Sequence, residues 1–237
     1  MITVHNVTKK FGEKSVLNGI SFSIPRGSIT GLIGRNGAGK TTLMGILCGL
    51  IQANSGSVQV GDIKLSENIT KARAMIGYVP QKTSLYLEMT GRENLTYFGL
   101  ILGLSGQKLK NYIDEAVKAT SLDEYLDVRV SNYSGGMQKR LNLAIGLLGN
   151  PPVLYLDEPT VGVDRESREI ILDTLLKMRI EYGTTVLYTS HYLQEIEKIC
   201  DRLIVLDKGS VAASDTTSHL LQEFPSLEDY LEENIQK

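Results

Sequence analysis

The stretch that most constrains the fold is GRNGAGKTT, which spans Gly34–Thr42. It matches the pattern G-x-x-x-x-G-K-[ST] in full. The apolar, strand-like stretch SITGLIG runs into it, and the amphipathic stretch TTLMGILCGL follows it. A chance glycine turn needs neither a strand before it nor a helix after it, so the pattern in this context predicts a phosphate-binding loop between a strand and a helix.

The residue types of this loop are those that phosphate binding requires. Three glycines let the backbone curl so that several N–H groups face inward, and the helix that we expect to begin near Lys40 adds the positive end of its dipole. Lys40 supplies a charge for the β- and γ-phosphates, and Thr41 supplies a hydroxyl for Mg²⁺. The predicted nucleotide-binding residues of the loop are Gly34, Arg35, Asn36, Gly37, Ala38, Gly39, Lys40, Thr41 and Thr42.

A second candidate site follows the apolar stretch VLYL, residues 153–156, which we predict to be a buried strand. Asp157 and Glu158 come at its carboxyl end, where open α/β sheets bind ligands. We expect Asp157 to hold Mg²⁺ and Glu158 to polarise an attacking water. His191 ends another predicted strand, which should lie beside the first, and its chemistry alone leaves a structural and a catalytic role equally open.

Strands that alternate with helices indicate a parallel sheet covered on both faces. Two short strands are predicted earlier, at MITVHNV and ISFSI. Residues 90–149 are instead predicted to be almost entirely helical, beginning with a capping box of Thr90 and Glu93. Gln81 precedes this block and is a candidate hinge. The predicted organisation is a single domain, residues 1–237, with an α/β core of residues 1–89 and 150–237 and a helical insertion of residues 90–149.

Composition and charge exclude several classes of protein. The net charge of −2 provides no basic excess for nucleic acid or an anionic membrane surface. No stretch approaches the roughly 18 consecutive apolar residues of a spanning helix, and the N-terminus lacks the apolar core of a signal peptide. Cys48 and Cys200 lie in apolar helical patterns, which favours buried thiols in a reducing compartment over a disulfide. We expect a soluble, unexported chain that reaches a membrane only through a partner.

Six motifs occur in order along the chain: GRNGAGKTT, YVPQ, YSGGM, LYLDEP, GVD and TSH. In these motifs, and over essentially its whole length, the chain resembles the nucleotide-binding subunits of ATP-binding cassette (ABC) transporters. The resemblance implies an α/β fold, with a P-loop NTPase core built on a mostly parallel sheet, an N-terminal antiparallel β subdomain and an inserted α-helical subdomain. It also implies that the cofactors are ATP and Mg²⁺.

The resemblance gives roles to residues whose own chemistry is ambiguous. Phe11 is by itself an aromatic residue beside a glycine, but it lies where the family places an adenine-stacking ring, usually a tyrosine. Gln81 lies in the family's Q-loop, which links Mg²⁺ and water to the helical insertion. His191 matches the switch histidine that contacts the γ-phosphate, and Asp164 lies in the D-loop at the dimer interface.

The YSGGM stretch differs from the family's usual LSGGQ at Tyr133 and Met137 and keeps Ser134, Gly135 and Gly136. A serine and two glycines at a helix N-terminus present a hydroxyl and N–H groups, which attract phosphate. The resemblance implies that this turn contacts ATP held by the phosphate loop of a second subunit, so that two chains pack head to tail around two ATP molecules. A plain helix cap with tight glycine packing is the alternative interpretation.

The stretch YSGGMQKRL and the tail SLEDYLEENI resemble the ABC-2 type branch, in which cassettes pair with separate exporter membrane subunits. We therefore expect an ATP-hydrolysing subunit that powers an exporter, located in the cytoplasm on the inner face of the cell membrane. Its expected partners are an integral membrane permease and an identical or different second cassette, with no nucleic acid. The alternatives are a soluble cassette ATPase acting on ribosomes or DNA, which usually carries two cassettes or a long coiled coil, and a P-loop kinase, which has no use for YSGGM.

Overall fold

The computed structural model describes residues 1–234, which form two β-sheets and their covering helices. The strands are β1 (Ile2–Phe11), β2 (Lys14–Ile24), β3 (Ile29–Gly34), β4 (Ser55–Val60), β5 (Ile63–Lys64), β6 (Ile76–Val79), β7 (Val153–Asp157), β8 (Thr185–Thr189), β9 (Arg202–Asp207) and β10 (Ser210–Thr216). The helices are α1 (Lys40–Leu47), α2 (Ile69–Arg73), α3 (Gly91–Ile101), α4 (Gly106–Ala119), α5 (Gly135–Leu147), α6 (Arg165–Tyr182), α7 (Leu193–Ile199), α8 (Thr217–Glu223) and α9 (Leu227–Asn234). Short 3₁₀ turns at Asp123–Tyr125 and Val130–Asn132 lie between α4 and α5.

The larger sheet has the strand order β10-β9-β3-β8-β7-β6 and is parallel except for its antiparallel edge strand β10. Strands β7 and β8 are buried at every residue, as expected for the centre of a sheet covered on both faces. Because β3, β7 and β8 are parallel, their carboxyl ends at Gly34, Asp157 and Thr189 lie at the same edge of the sheet. The phosphate loop and the acidic pair, Asp157 and Glu158, therefore lie on the same side of the molecule.

The smaller sheet is antiparallel, with the order β2-β1-β4-β5. The two short strands predicted near the N-terminus were too short: β1 continues to Phe11 and β2 begins at Lys14, because the two strands pair across the turn at Gly12. The extra pairs are made by polar residues such as Lys9 and Lys10. Backbone hydrogen bonding to a distant strand leaves no trace in a hydropathy pattern, which explains the error.

The helical block contains α3, α4 and α5. The predicted capping box is confirmed: the Glu93 N–H donates to Oγ1 of Thr90 at 3.1 Å, and the Thr90 N–H donates to Oε2 of Glu93 at 2.8 Å. Apolar side chains of the three helices join one buried cluster with the core of the larger sheet. A polar contact also ties the block to β6, since Nδ2 of Asn142 donates to the Pro80 carbonyl oxygen at 3.1 Å.

The fold class predicted from the sequence is therefore confirmed, with a mostly parallel core sheet, an antiparallel N-terminal sheet and inserted helices. In the range 1–234 no helix has both the length and the apolar character needed to cross a bilayer. Cys48 and Cys200 are buried free thiols, as predicted, and burial raises the pKa of Cys48 to about 12. The predicted tail stretch SLEDYLEENI contains α9, and its last residue, Ile235, lies outside the described residues.

Candidate active site

The phosphate loop runs from the end of β3 into α1, which begins at Lys40 as predicted. Gly37 and Gly39 have φ angles of 84° and 106°, in the region that favours glycine. A Cβ atom at Gly39 would also lie 2.6 Å from Cδ2 of Leu17, because the loop packs closely against β2. The loop thus has a shape that requires glycine both for its backbone conformation and for its packing.

The side chain of Lys40 is buried at the base of the loop, with 7% of its surface exposed. Its Nζ donates a hydrogen bond to the Gly34 carbonyl oxygen at 2.6 Å and lies 3.4 Å from the Arg35 carbonyl oxygen. Burial lowers the pKa of Lys40, while the neighbouring carboxylates of Glu158 and Asp157 oppose this shift. The loop and the acidic pair therefore share one electrostatic environment.

An open cleft of about 830 Å³ borders the loop, a volume within the roughly 300–1,000 Å³ range of small-molecule pockets. Gly34 and Arg35 line a smaller cavity beside it, and Ala38 is buried. The predicted site residues that line the main cleft are Phe11, Asn36, Gly37, Gly39, Lys40, Thr41, Thr42, Gln81, Glu158 and His191.

Asp157 and Glu158 lie at the end of β7 and are both buried. The hydroxyl of Thr189, at the end of β8, holds them together: it accepts a hydrogen bond from the Glu158 N–H at 2.8 Å and lies 2.9 Å from Oδ1 of Asp157, to which it donates. Burial raises the pKa of Asp157, and the hydrogen bond from Thr189 opposes that shift. A cation bound near Asp157 would stabilise its charged form.

Glu158 contacts both of the other residues predicted to act in catalysis. Its φ of 49° is a left-handed conformation that costs about 1–3 kcal/mol in a residue with a side chain and occurs preferentially at functional sites. Oε2 of Glu158 accepts a hydrogen bond from Nε2 of Gln81 at 2.5 Å, and Oε1 lies 2.5 Å from Nε2 of His191. Since Gln81 follows β6 and His191 follows β8, one carboxylate joins the edges of three adjacent strands. This position favours a functional role for His191.

The structure adds residues to the cleft that sequence analysis missed. They belong to the start of β2 and to the turn between β9 and β10. Asn18 of β2 holds the two segments together, because its Nδ2 donates to the Lys208 carbonyl oxygen at 3.0 Å and its N–H donates to the Gly209 carbonyl oxygen at 2.7 Å. Neither segment carries a motif, and their proximity depends on tertiary structure. The added lining residues are Lys14, Ser15, Val16, Lys208 and Gly209.

Lys139 in α5 was also missed. Its Nζ donates to the carbonyl oxygen of Gln81 and so connects the helical block to the loop that carries this residue. Burial lowers the pKa of Lys139, while the charges of Glu158 and Asp157 act in the opposite direction. The only signal in the sequence is a lysine one turn after the YSGGM glycines, which fits a solvated helix face equally well.

The YSGGM turn forms the N-terminus of α5, and it does not line the cleft among the residues that the structure describes. Oγ of Ser134 accepts a hydrogen bond from the Met137 N–H at 3.1 Å, which is an N-cap. A Cβ at Gly135 would meet no atom of residues 1–234 within 4 Å, whereas a Cβ at Gly136 would collide with Asp164 and Ser167. Gly136 therefore has a packing role, while Ser134 and Gly135 are exposed.

Asp164 and Phe11 show different environments. Asp164 caps α6, since its Oδ1 accepts a hydrogen bond from the Ser167 N–H at 2.8 Å, and its hydrogen bonds with Ser167 lower its pKa. Like the YSGGM turn, Asp164 is not among the described residues that line the cleft. Phe11 does line the cleft and is 51% exposed, and Nζ of Lys9 lies 4.9 Å from its ring centroid.

The predicted Mg²⁺ donors are the Thr41 hydroxyl, the Asp157 carboxylate and the Gln81 amide. Across residues 1–234 no group of three or more His, Cys, Asp and Glu side chains could hold a metal ion. Oxygen donors in small number nevertheless suit Mg²⁺, which usually keeps several waters and binds through one or two carboxylates plus substrate phosphates. The donors therefore fit an ion that arrives with a nucleotide.

Comparison with known proteins shows extensive similarity. The ABC transporter family model matches residues 17–161. The chain is 39% identical over 220 residues to the linearmycin resistance ATP-binding protein LnrL of Bacillus subtilis (strain 168), an alignment that covers 93% of this chain and 70% of that protein. It is 39% identical over 222 residues to the Nod factor export ATP-binding protein I of Bradyrhizobium diazoefficiens, with coverage of 94% and 72%.

Solved structures give the same result. One is the ATP-binding subunit of an ABC transporter, which is 26% identical to this chain with a TM-score of 0.87. The superposition covers 98% of each of the two chains. Another is a dimeric ATP-binding cassette in a post-hydrolysis state bound to ADP and Pi, which is 29% identical with a TM-score of 0.82 and coverage of 92% of this chain and 99% of the other. The chain therefore belongs to the ABC transporter family and is a nucleotide-binding cassette that binds and hydrolyses ATP.

Proposed function

We propose that this chain is the ATP-hydrolysing subunit of a membrane exporter and that Glu158 acts in the hydrolytic step. The contact of Glu158 with Gln81 and His191, on the wall of the cleft that also contains Lys40, carries the hydrolytic assignment. The similarity to proteins named for Nod factor export and for linearmycin resistance supports the export assignment.

ATP binds in the cleft with its phosphates in the loop Gly34–Thr42. The Lys40 ammonium group neutralises phosphate charge, and the N-terminus of α1 adds its dipole. The adenine stacks on the exposed ring of Phe11, which offers an aromatic face without a hydroxyl. Lys14 at the start of β2 and Lys208 in the turn between β9 and β10 add positive charge along the same cleft.

In the reaction, water attacks the γ-phosphorus, the bond between that phosphorus and the ADP oxygen breaks, and inorganic phosphate leaves. Glu158 accepts the proton of the attacking water at a carboxylate oxygen. Gln81 and His191 hold the Glu158 carboxylate from either side, and His191 contacts the γ-phosphate. Bound Mg²⁺ would supply positive charge against the phosphates, and Thr41, Asp157 and Gln81 would hold it.

Two cassettes pack head to tail, and the Ser134-Gly135-Gly136 turn of each contacts the ATP held by the other. The exposure of Ser134 and Gly135 and their position outside the cleft of their own chain support this arrangement. The dimeric cassette with bound ADP and Pi supports it independently. Asp164 lies at the same interface, beside Gly136. The second cassette is either an identical chain or a different one.

The membrane partner is an integral permease subunit, which places the cassette in the cytoplasm on the inner face of the cell membrane. The net charge of −2 supports a protein partner and not nucleic acid. The domain boundaries follow the function: residues 1–89 and 150–237 bind nucleotide, and residues 90–149 present the YSGGM turn. A soluble cassette and a P-loop kinase are the competing functions.

Replacing Glu158 with glutamine tests the hydrolytic role. The Glu158→Gln variant should lose a factor of about 10²–10⁴ in ATP turnover while it still binds ATP, because the amide cannot accept the proton of the attacking water. Steady-state ATPase assays alongside calorimetric ATP titration measure both properties. Glu181→Gln, which removes an exposed carboxylate at the end of α6, is the control and should retain turnover. Wild-type turnover in Glu158→Gln would remove Glu158 from catalysis.

Two further measurements separate the competing functions. ATP turnover without any acceptor substrate distinguishes an ATPase from a kinase. Purification of the tagged chain from gently solubilised membranes, followed by identification of the proteins bound to it, distinguishes a transporter subunit from a soluble cassette. Recovery with an integral membrane protein supports export or import, whereas recovery only with ribosomes or DNA contradicts the transporter assignment.

A further inference from the structure

Glu195, in the short helix α7, is a buried carboxylate that the proposed hydrolytic reaction does not use. It is 4% exposed. Its Oε2 accepts hydrogen bonds from three hydroxyl groups: Oη of Tyr188 at 2.5 Å, Oγ of Ser190 at 2.7 Å and Oγ1 of Thr160 at 2.9 Å. Burial and the adjacent carboxylate raise the pKa of Tyr188 well above its usual value, so Tyr188 keeps the proton that it donates. Burying a carboxylate is costly unless such donors satisfy it.

The donors come from segments that carry the proposed catalytic residues. Ser190 immediately precedes His191, and Thr160 follows Glu158 by two residues. One oxygen atom of Glu195 therefore links the loop of the switch histidine to the loop of the proposed base. An apolar residue in place of Glu195 could fill the same volume, but it could not fix these two loops relative to each other.

The same side chain reaches the D-loop region. Nε of Arg168 lies 3.4 Å from Oε1 of Glu195. Arg168 lies in the first turn of α6, and its N–H donates to the carbonyl oxygen of Asp164 at 3.0 Å. The guanidinium group also lies 4.7 Å from the ring centroid of Tyr192, the residue after His191. Glu195 thus contacts, directly or through one neighbour, three segments that contain proposed site residues.

His191 is held on both sides by this network. On one side Ser190 donates to Glu195, and on the other side the Tyr192 N–H donates to Oγ of Ser190 at 3.0 Å. The His191 side chain itself remains 40% exposed, and its Nε2 is 2.5 Å from Oε1 of Glu158. The buried carboxylate of Glu195 therefore fixes the backbone on both sides of the exposed His191 imidazole, through the hydroxyl of Ser190.

We propose that Glu195 is a positioning residue for ATP hydrolysis, which holds the imidazole of His191 against Glu158 by fixing Ser190 and Thr160. The proposal rests on the proposed roles of His191 and Glu158. It places Glu195 outside the nucleotide cleft, so the residue affects turnover and not nucleotide binding. A misplacement of about 1 Å in a catalytic group can cost on the order of 100-fold in rate.

The test is the Glu195→Gln variant, which keeps the shape but turns one of the two oxygens into an NH2 group, a donor that cannot accept a hydrogen bond. The side chain can then no longer accept the three hydroxyl hydrogen bonds at one end and present an acceptor to Nε of Arg168 at the other. We expect kcat for ATP to fall about 10- to 100-fold with the ATP Kd changed less than about twofold. The control is Glu197→Gln in the same helix, where the carboxylate accepts a hydrogen bond from the Leu227 N–H at 2.8 Å instead of from the site. Its kcat should equal that of the wild type.

A spectroscopic measurement separates positioning from general stability. The chain has three histidines, His5, His191 and His219. In Glu195→Gln the ring resonances of His191, assigned with His191→Ala, should shift in position because the ring moves relative to Glu158, while those of His5 and His219 stay as in the wild type. If Glu195→Gln does not fold, Ser190→Ala removes the hydroxyl link alone and should give the same two effects.

Wild-type kcat, or unchanged His191 resonances, in the folded variant would overturn the positioning role. A parallel loss of ATP affinity would also overturn it, since it would place Glu195 in nucleotide binding. If the wild-type chain hydrolyses no ATP, the proposed function fails, but the histidine resonances still decide whether Glu195 positions His191.

Discussion

Lys40 is buried, and the acceptors that its ammonium group meets within residues 1–234 are two backbone carbonyl oxygens, those of Gly34 and Arg35. The cost of burying this charge is reduced further by the carboxylates of Asp157 and Glu158, which favour the protonated amine. A lysine held in this way presents a fixed positive charge to the cleft. Its energetic value should therefore appear in binding and not only in turnover.

Removing that charge should weaken ATP binding. Charge-assisted hydrogen bonds contribute about 1.5–3 kcal/mol, so Lys40→Ala should raise the ATP Kd roughly 10- to 100-fold. Lys14→Ala is a matched control, because Lys14 lines the same cleft but is exposed. The loss of ATP affinity in Lys14→Ala should be smaller than in Lys40→Ala. Calorimetric titration with ATP and Mg²⁺ measures both variants. An unchanged Kd for a folded Lys40→Ala protein would show that Lys40 does not face the nucleotide.

The residues of the site differ in how visible they are in the sequence. Lys40, Asp157 and Glu158 belong to short contiguous patterns in which local spacing determines the chemistry, so sequence analysis can identify them. Glu195 looks like one acidic residue in a short amphipathic helix, and its hydroxyl partners are visible only after α7 packs against the ends of β7 and β8. Lys208 is brought into the cleft by a contact with a residue 190 positions away.

At the scale of elements, the unusual tyrosine of the YSGGM turn has a structural explanation. Tyr133 is buried, and its hydroxyl donates to the carbonyl oxygen of Tyr125 at 2.6 Å. That hydroxyl lies only 2.4 Å from the position that a Cβ of Gly91, the first residue of α3, would take. The absence of a side chain at Gly91 therefore makes room for the tyrosine that stands in place of the family's leucine, and α3 and α5 approach closely at their N-termini.

Gly91→Ala should destabilise the chain by overpacking. We expect a loss of about 1–3 kcal/mol in the free energy of unfolding, measured by urea denaturation. Gly135→Ala is the matched control, since Gly135 is also the first residue of a helix but its Cβ would meet none of the described atoms within 4 Å. Its effect should stay within about 0.5 kcal/mol. Adding Tyr133→Phe should recover part of the loss in Gly91→Ala, and equal effects of the two alanine variants would contradict this account.

Secondary structure was predicted best where burial is complete or a cap is local. Strand β7 contains the continuous apolar run VLYL, and the capping box at Thr90 depends on residues three positions apart, so both were predicted correctly. The lengths of β1 and β2 were predicted wrongly, because Lys9 and Lys10 are part of β1 through their pairing with β2. Pairing between strands is a tertiary interaction, and hydropathy does not record it.

At the scale of the whole molecule, the cleft and the YSGGM turn are two separate surfaces of the same chain. The phosphate loop, Glu158, the start of β2 and the turn between β9 and β10 line the cleft, whereas the YSGGM turn opens α5 outside it. The N-cap at Ser134 uses the serine oxygen as an acceptor but leaves the exposed turn available to an external anion. The geometry within one chain fits the proposed head-to-tail pair, in which each chain would contribute the half of a site that it does not use itself.

This arrangement predicts that dimerisation and ATP binding can be separated by mutation. The Glu158→Gln variant should retain ATP and, if the chain pairs with itself, should run as a dimer with ATP and as a 26.1 kDa monomer without it. Adding Ser134→Arg should abolish the dimer, since a bulky cation would occupy the interface. The ATP Kd of the monomer should stay nearly unchanged, because Ser134 lies outside its own cleft. Light scattering with and without ATP and nucleotide titration measure the two properties.

The control for the last variant is Ser105→Arg. Ser105 is also an exposed serine at a helix N-terminus followed by a glycine, in the same helical block, but its side chain makes no capping hydrogen bond. On the Glu158→Gln background it should leave the ATP-dependent dimer intact. Ser134→Arg loses an N-cap that contributes about 1 kcal/mol to stability, so urea denaturation must show that the variant is folded.

If folded Ser134→Arg monomers lost ATP binding, Ser134 would contact the nucleotide of its own chain and the shared site would be wrong. If Glu158→Gln stayed monomeric with ATP, self-pairing would be contradicted, and the YSGGM turn would have to face a different cassette.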